Sequence, residues 1–341
     1  MADPDTTRAS LYLSNNNSPC ESFTMKMFGF PRKKNSGWFA ISCQLDGVVV
    51  VHMTRAAEGL PVVRAIRFIE IGMTTLASVL GQVARQCQLH GARWTHLLAI
   101  GEYQMLTVDL PNVPAEERKL AVRWVVKDML EQAVADTTLD ALAIPVDPNG
   151  AGHNATMFVI AASNRFIEHR QGLFDKADIG LAAIDVPELA QRNISALLEP
   201  EGQALALLSF GADGGLVTIT FRKELYLSRR MDITLLQLQQ DDPEQLLAAH
   251  ERIALDLQRS LDHFYRQHHA IRLSGLVLCL AGAHATRLQS HLQSSLSTSV
   301  ATLSLESIVD LSLTPELSMP DMQQRYLMVL GAALRQDEKS A

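Results

Sequence analysis

The sequence predicts an α/β protein of two related halves, with a further subdomain inserted in the first. Three observations carry this expectation. Two stretches, 38–69 and 203–231, each read as three consecutive short strands, and each leads into a helical pattern and then a buried strand. The stretches share a spacing, because Ser42 and Asp46-Gly47 recur as Ser209 and Asp213-Gly214, and 213 − 46 and 209 − 42 both give 167. Between them lies a segment with its own helix, two strands and helix, opened by Pro111 and Pro114.

Taken in order, residues 1–35 are polar and rich in Ser, Asn, Pro and Asp, which predicts a mobile tail. Val/Ile-rich runs at 38–45, 47–54 and 62–69 are punctuated by Asp46-Gly47 and by Glu58-Gly59-Leu60-Pro61, the punctuation of an antiparallel meander. A helix is expected over 74–90 and a buried strand over 95–101. In the insertion we expect a helix over about 115–135 with Ala121, Trp124, Val125 and Met129 on one face, strands near 141–144 and 156–162, and a helix over 164–176. Residues 180–186 return as a strand to the first half, and Pro187 starts a helix to about Leu198. The second meander occupies 203–210, 215–222 and 224–231. A long helix follows with Leu246, Ile253, Leu257, Leu261 and Phe264 on one face, then a strand over 276–280. Asp321 is expected to cap a last helix. The expected division is 36–104 with 180–200 for the first half, 105–179 for the insertion and 203–336 for the second half.

Composition limits the function. The chain has 341 residues, 47% hydrophobic and only 6% aromatic, so aliphatic side chains must fill its cores. A net charge of −7 and the lack of any basic cluster beyond Arg32-Lys33-Lys34 argue against nucleic-acid binding. The four cysteines, Cys20, Cys43, Cys87 and Cys279, form no Cys-x-x-Cys pair, and reduced thiols are the simpler reading. No apolar run is long enough to span a bilayer and no secretion signal is visible, which predicts a cytoplasmic protein without direct membrane insertion.

Two meander halves facing a cleft invite a nucleotide hypothesis, since tight strand turns hold phosphates with backbone N–H groups and nearby carboxylates position a metal. The candidate turns are Gln44-Leu45-Asp46-Gly47 and Gly211-Ala212-Asp213-Gly214-Gly215. Asp-Gly is also what a two-residue hairpin with positive φ demands, and this simpler reading stands ahead of phosphate binding. Asp46 and Asp213 make a poor split metal site, and none is expected. No P-loop, dinucleotide fingerprint, His-Glu-x-x-His or Gly-x-Ser-x-Gly motif occurs. His263, His268 and His269 read as solvated at a helix end, and Arg229-Arg230 as a solvated strand end.

Residues 255–265, Leu-Asp-Leu-Gln-Arg-Ser-Leu-Asp-His-Phe-Tyr, resemble the "EIQRSLDYY" helix of PilM-type type IV pilus assembly proteins. Leu330-Gly331-Ala332-Ala333-Leu334-Arg335 resembles their closing helix, and Ile184-Asp185-Val186-Pro187-Glu188-Leu189-Ala190 their return strand and helix. The segment from Leu110-Pro111 through Trp124 looks like the displaced subdomain that this family shares with the cell-division protein FtsA. Within the family, Lys26-Met27-Phe28-Gly29-Phe30 and the altered turns look most like the MshI branch, which serves mannose-sensitive haemagglutinin (MSHA) pili. The likeness spans about residues 36–336.

The resemblance implies an actin-like ATPase (ribonuclease H-like) fold and locates where a nucleotide would lie, on Ser42, Gln44, Asp46, Gly47, Ser209, Gly211, Asp213, Gly214, Gly282 and His284. There the chain departs from the family. The first phosphate turn, Asp-Ile-Gly-Ser-Ser-Ser-Val-Lys in PilM, falls on residues 42–49, so Ser42 replaces the carboxylate, Gln44 the Gly and Val49 the Lys. The second, Asp-Ile-Gly-Ala, falls on Ser209 to Ala212 and keeps Gly211 but not the carboxylate. The Gly-Gly adenosine loop becomes Ala281-Gly282-Ala283-His284. Without these charges a triphosphate is poorly compensated. The expectation is a non-catalytic scaffold with no cofactor, weak ATP or ADP binding being left open. Its partners would be the cytoplasmic tail of a PilN-like (MshJ-like) inner-membrane protein and the pilus motor ATPase, and its place the cytoplasmic side of the inner membrane. The tail should lie between the first half and the insertion, walled by 94–106 and 157–162. The alternative is an ATP-binding or hydrolysing enzyme of the same superfold.

Overall fold

The computed structural model describes residues 37–336 apart from 45, 56–57, 88–91, 112, 115–116 and 147–154. The expected tail, 1–35, lies outside the described residues. β1 (Trp38–Cys43), β2 (Gly47–Thr54) and β3 (Val62–Glu70) form an antiparallel meander, and α1 (Leu76–Cys87) leads to β4 (Arg93–Leu97), parallel to β1. The inserted sheet comes next: β5 (Gln104–Asp109), α2 (Arg118–Val125), β6 (Thr137–Ala143) and β7 (Thr156–Ser163). α3 (Asn164–Lys176), β8 (Leu181–Asp185) and α4 (Pro187–Leu198) complete the first half. The second half runs β9 (Ala204–Gly211), β10 (Gly214–Phe221), β11 (Glu224–Met231), α5 (Leu235–Leu238), α6 (Pro243–Gln267), β12 (Leu273–Cys279), α7 (Gly282–Ser295), β13 (Val300–Thr302) and α8 (Pro320–Ala333).

The two main sheets have the same strand order, β3-β2-β1-β4-β8 and β11-β10-β9-β12-β13. Their registers match as well. Ser42 lies opposite Val49 and Leu97, and Ser209 opposite Leu216 and Cys279. The spacing shared in sequence is therefore shared in the hydrogen-bond ladder.

Each main sheet is covered on both faces. Phe39, Ile41, Val48 and Val50 pack outward against Val79, Leu80 and Val83 of α1 and Phe174 of α3. Leu208, Val217 and Ile219 pack outward against Ile253, Leu257 and Phe264 of α6 and Leu288 and Leu292 of α7. The inner faces exchange helices. α4, continuous with the first half, lies on β9, β10 and β11, while α8, continuous with the second, lies on β1, β2 and β4. The two helices cross where a Cβ on Gly331 would stand 2.1 Å from the Ala190 carbonyl oxygen, so only glycine allows this approach.

Several expectations change. α3, expected with the insertion, bridges the two units: Phe174 packs into the first-half core, while Ile167 packs with Leu142, Phe158 and Ile160 of the inserted sheet, whose strands span 104–163. The helix expected over 115–135 spans only Arg118–Val125, and Val122 and Val126 are its buried pair, while Trp124 is 72% exposed. A three-stranded sheet offers a narrow apolar strip, Val108, Met157 and Val159, which one i,i+4 pair covers. β5 adds a strand not separately expected. Met319, not Asp321, precedes the first residue of α8, with Pro320 at N1. His268 packs against Tyr226 and Phe264 instead of facing solvent.

Candidate functional site

The candidate turns are stabilised differently. In the first, the Gln44 N–H donates to the Gly47 carbonyl at 2.7 Å, and the Ile71 N–H donates to the Asp46 carbonyl at 3.2 Å. Gly47 has no positive φ, contrary to the hairpin expectation. It is needed for close approach, since a Cβ there would lie 2.6 Å from the Ile69 carbonyl oxygen. In the second turn Gly211 pairs with Gly214, which has φ of +116°. The two-residue loop is then the exposed Ala212-Asp213, neither with positive φ, and the positive φ expected of the Asp-Gly pair falls on Gly214, already the first residue of β10.

Ser42 and Ser209 are both buried, on matching positions of the two sheets. The Ser209 hydroxyl donates to Gln191 Oε1 at 2.6 Å. Gln191, on α4, directs Nε2 to the Leu207 carbonyl at 2.8 Å, the Leu216 carbonyl at 3.2 Å and Thr218 Oγ1 at 2.9 Å. Ser209 is thus engaged with α4. The Ser42 side chain has no hydrogen-bond partner among the described residues. Opposite it, Val49 is fully buried against α8, a position hostile to a lysine charge.

Three of the segments meet at the second turn of α8. Arg325 Nη2 pairs with Asp46 Oδ2 at 2.8 Å, and its guanidinium lies 3.9 Å from the centroid of the Phe68 ring. The neighbouring Gln324 accepts from the Ala281 N–H at 2.9 Å and donates to the Phe210 carbonyl at 3.3 Å. Asp213 is not drawn into this cluster by any hydrogen bond or ion pair among the described residues. Gly282 has φ of +69° and starts α7. His284 lies within the first turn of that helix.

A second feature lies where the insertion leaves the first half. A cavity of about 570 Å³ is lined by Tyr103, Gln104, Leu130, Arg165, Phe166 and His169. Tyr103 also belongs to a buried network. Its hydroxyl donates to Glu188 Oε2 at 2.6 Å, while Arg230 Nη2 donates to the same hydroxyl at 2.5 Å and to Glu188 Oε1 at 2.7 Å. Burial and then the Glu188 carboxylate raise the Tyr103 phenol well above its ordinary range, so it stays protonated. Burial would lower the Arg230 guanidinium, but Glu188 and Tyr103 outweigh it and raise it. Arg230 therefore joins the second half to the cavity wall and is not the solvated strand end expected. The expected tail wall also changes. Met157–Ala162 lies in β7, the middle strand of the inserted sheet, and Trp94 is buried in the first main sheet. The outer strands of the inserted sheet, β5 and β6, are the ones with an edge unpaired among the described residues.

Sequence reasoning missed Gln191, Gln324, Arg325 and Tyr103. No local signal marks them, because Arg325 and Asp46 are 279 residues apart and Tyr103 and Arg230 are 127 apart.

No protein-family model matches the chain, and no curated protein matches it in sequence. Solved structures do match in shape. A PilM–PilN type IV pilus biogenesis complex aligns with a TM-score of 0.64 at 16% identity, covering 88% of this chain and 98% of that one. The cytoplasmic domain of EpsL, an inner-membrane component of the Vibrio cholerae type II secretion system, aligns at 0.43 and 12% identity over 77% of this chain and 97% of that one. A Bacteroides thetaiotaomicron protein with an actin-like ATPase fold and unknown function aligns at 0.46 and 11% identity over 85% and 99%. Among the described residues no helix is long and apolar enough to cross a membrane. With its duplicated five-stranded sheets and exchanged helices, the chain has the actin-like ATPase fold.

Proposed function

We propose that this chain is a non-catalytic scaffold in the biogenesis of type IV pili of the MSHA kind. It holds the cytoplasmic tail of a PilN-like (MshJ-like) inner-membrane protein, and through that partner it stands at the cytoplasmic face of the inner membrane, within reach of the pilus motor ATPase. The observation that carries this reading is the junction cavity at the end of the inserted sheet, lined by the first residues of β5 and β6, whose outer edges are unpaired among the described residues, in a chain similar in fold to a PilM–PilN complex. An extended peptide gains backbone hydrogen bonds along such an edge and seats alternate side chains in an adjoining pocket. Tyr103, Leu130 and Phe166 supply apolar walls, and Arg165 and His169 polar ones. Absence of catalysis is supported by the serines at 42 and 209, by Val49 in place of a lysine, and by the engagement of Ser209 with Gln191.

Titration calorimetry with a synthetic peptide of the PilN-like tail tests the partner. Saturable binding is expected, weakened at least about tenfold by Phe166→Ala, a loss of about 1.4 kcal/mol or more. Equal binding to a variant with the cavity filled by Ala161→Phe would rule the placement out. Steady release of phosphate from ATP by the purified chain, abolished by Asp46→Ala, would overturn the non-catalytic reading.

A further inference from the structure

We propose that the second turn of α8 is an internal clasp across the cleft, with Gln324 and Arg325 tying the turns of both halves to one helix without any ligand. The argument begins with what α8 moves with. Tyr326, Leu327 and Leu330 pack it onto Ala40, Val49 and Val51, so the helix is seated on the first sheet although the chain delivers it from the second half. At the edge of that seat, Arg325 reaches Asp46 at 2.8 Å and stacks on Phe68, which fixes the β1–β2 turn to the helix.

Gln324 faces the other way. Its amide oxygen accepts from the Ala281 N–H, where β12 passes into α7, and its amide nitrogen donates to the Phe210 carbonyl, beside the β9–β10 turn. One planar amide thus engages one donor and one acceptor, each from a different second-half segment. Any ligand lying between these segments and using those two backbone groups has to displace Gln324.

The clasp is a positioning device more than a source of stability. The Arg325–Asp46 pair is 41% and 59% exposed, the range in which ion pairs contribute little. Its effect is to hold three turns in one arrangement beside the α4–α8 crossing, where Asn193 also donates to the Gly331 carbonyl at 2.9 Å. The chain thus carries its own bridge between turns of the two halves.

Hydrogen exchange on the whole protein, read by mass spectrometry, tests the clasp without any partner tail, so failure of the scaffold reading leaves the test intact. Gln324→Ala should speed exchange at Ala281 about tenfold, the loss of one protecting hydrogen bond, and loosen 208–216, while 327–333 of α8 keeps its protection. Gln324→Glu keeps an oxygen acceptor and should retain the Ala281 protection. Arg325→Ala should loosen 44–47. Unchanged exchange at Ala281 in Gln324→Ala would overturn the proposal, as would equal loss of protection along α8, which would make Gln324 a mere support of its own helix. Magnesium ATP added to the unaltered protein should leave the pattern unchanged, and new protection at Ala281 would show a ligand-held cleft.

Discussion

α8 rests on the first sheet through Tyr326, Leu327 and Leu330 against Ala40, Val49 and Val51. α4 rests on the second sheet with the amide of Gln191 set among Ser209, Thr218 and two strand carbonyls. The sheets match in order and register, yet the first inner seam is mostly apolar, with Ser42 and Thr95 not bonded to α8, while the other has a hydrogen-bonded polar centre. An apolar seam supplies burial and tolerates small shifts of the helix. A satisfied polar network in a dry seam admits one position only, because any slip leaves buried donors and acceptors unpaired. The first seam therefore contributes chiefly stability, and the second chiefly fixes alignment.

The largest test removes what the seams share. Gly331→Ala forces a methyl group into the Ala190 carbonyl, and since backbone cannot yield cheaply we expect a loss of about 3 kcal/mol or more in urea unfolding. An unchanged midpoint would show that the helices slide apart freely. Next, Gln191→Leu keeps the volume but strands the polar groups around it, with an expected cost of about 2 kcal/mol. A neutral outcome would erase the contrast between the seams.

A pH series extends the comparison to the outer faces. The first half buries His96 opposite Ile41, where the second places Leu278 opposite Leu208. Burial first, and then the Arg170 charge, push the His96 imidazole down to about 3 from an ordinary 6.5. Its proton affinity is thus depressed on folding, so above pH 6.5 it has no effect on stability. Between there and about 3 the unfolded chain takes the proton first, and stability falls by about 1.4 kcal/mol per pH unit. Unfolding midpoints from pH 7 to 5 should show this slope, and His96→Leu should reduce it; an undiminished slope in the variant would assign it elsewhere. The smallest test is the pair of matching serines. Ser209→Ala should cost about 1 kcal/mol through its bond to Gln191, and Ser42→Ala a few tenths. Equal costs would mean that the two positions are equivalent in energy as well as in register.

Much of the fold was legible because its signals are local. The Val/Ile-rich runs set off by Asp46-Gly47 and Glu58-Gly59-Leu60-Pro61, and the Ile253, Leu257, Leu261 stripe, can each be read within a single stretch of chain. The insertion was less legible. Ala121, Trp124, Val125 and Met129 keep helical spacing, but the chain leaves the helix at Val126, and the face that packs is one residue away. At the candidate site, the repeated Ser-x-x-x-Asp-Gly spacing located both turns. What the side chains do there depends on Gln191 and Arg325, which lie on helices delivered from elsewhere in the chain. Gly47 shows the same limit, since its dipeptide suggests a positive φ while its actual duty is to let Ile69 approach.

The exchange of α4 and α8 also bears on how the chain is made. The strands that receive α8, β1 and β2, are synthesised early, and α8 is the last described helix. At ribosomal speed the interval between them is on the order of tens of seconds. During that time Val49 and Val51 form a bare apolar face on a sheet already able to pair its strands, a surface suited to a chaperone. The first half should accordingly resist protease on a stalled ribosome only after residues 320–333 have left the exit tunnel, even though all of its strands emerged long before.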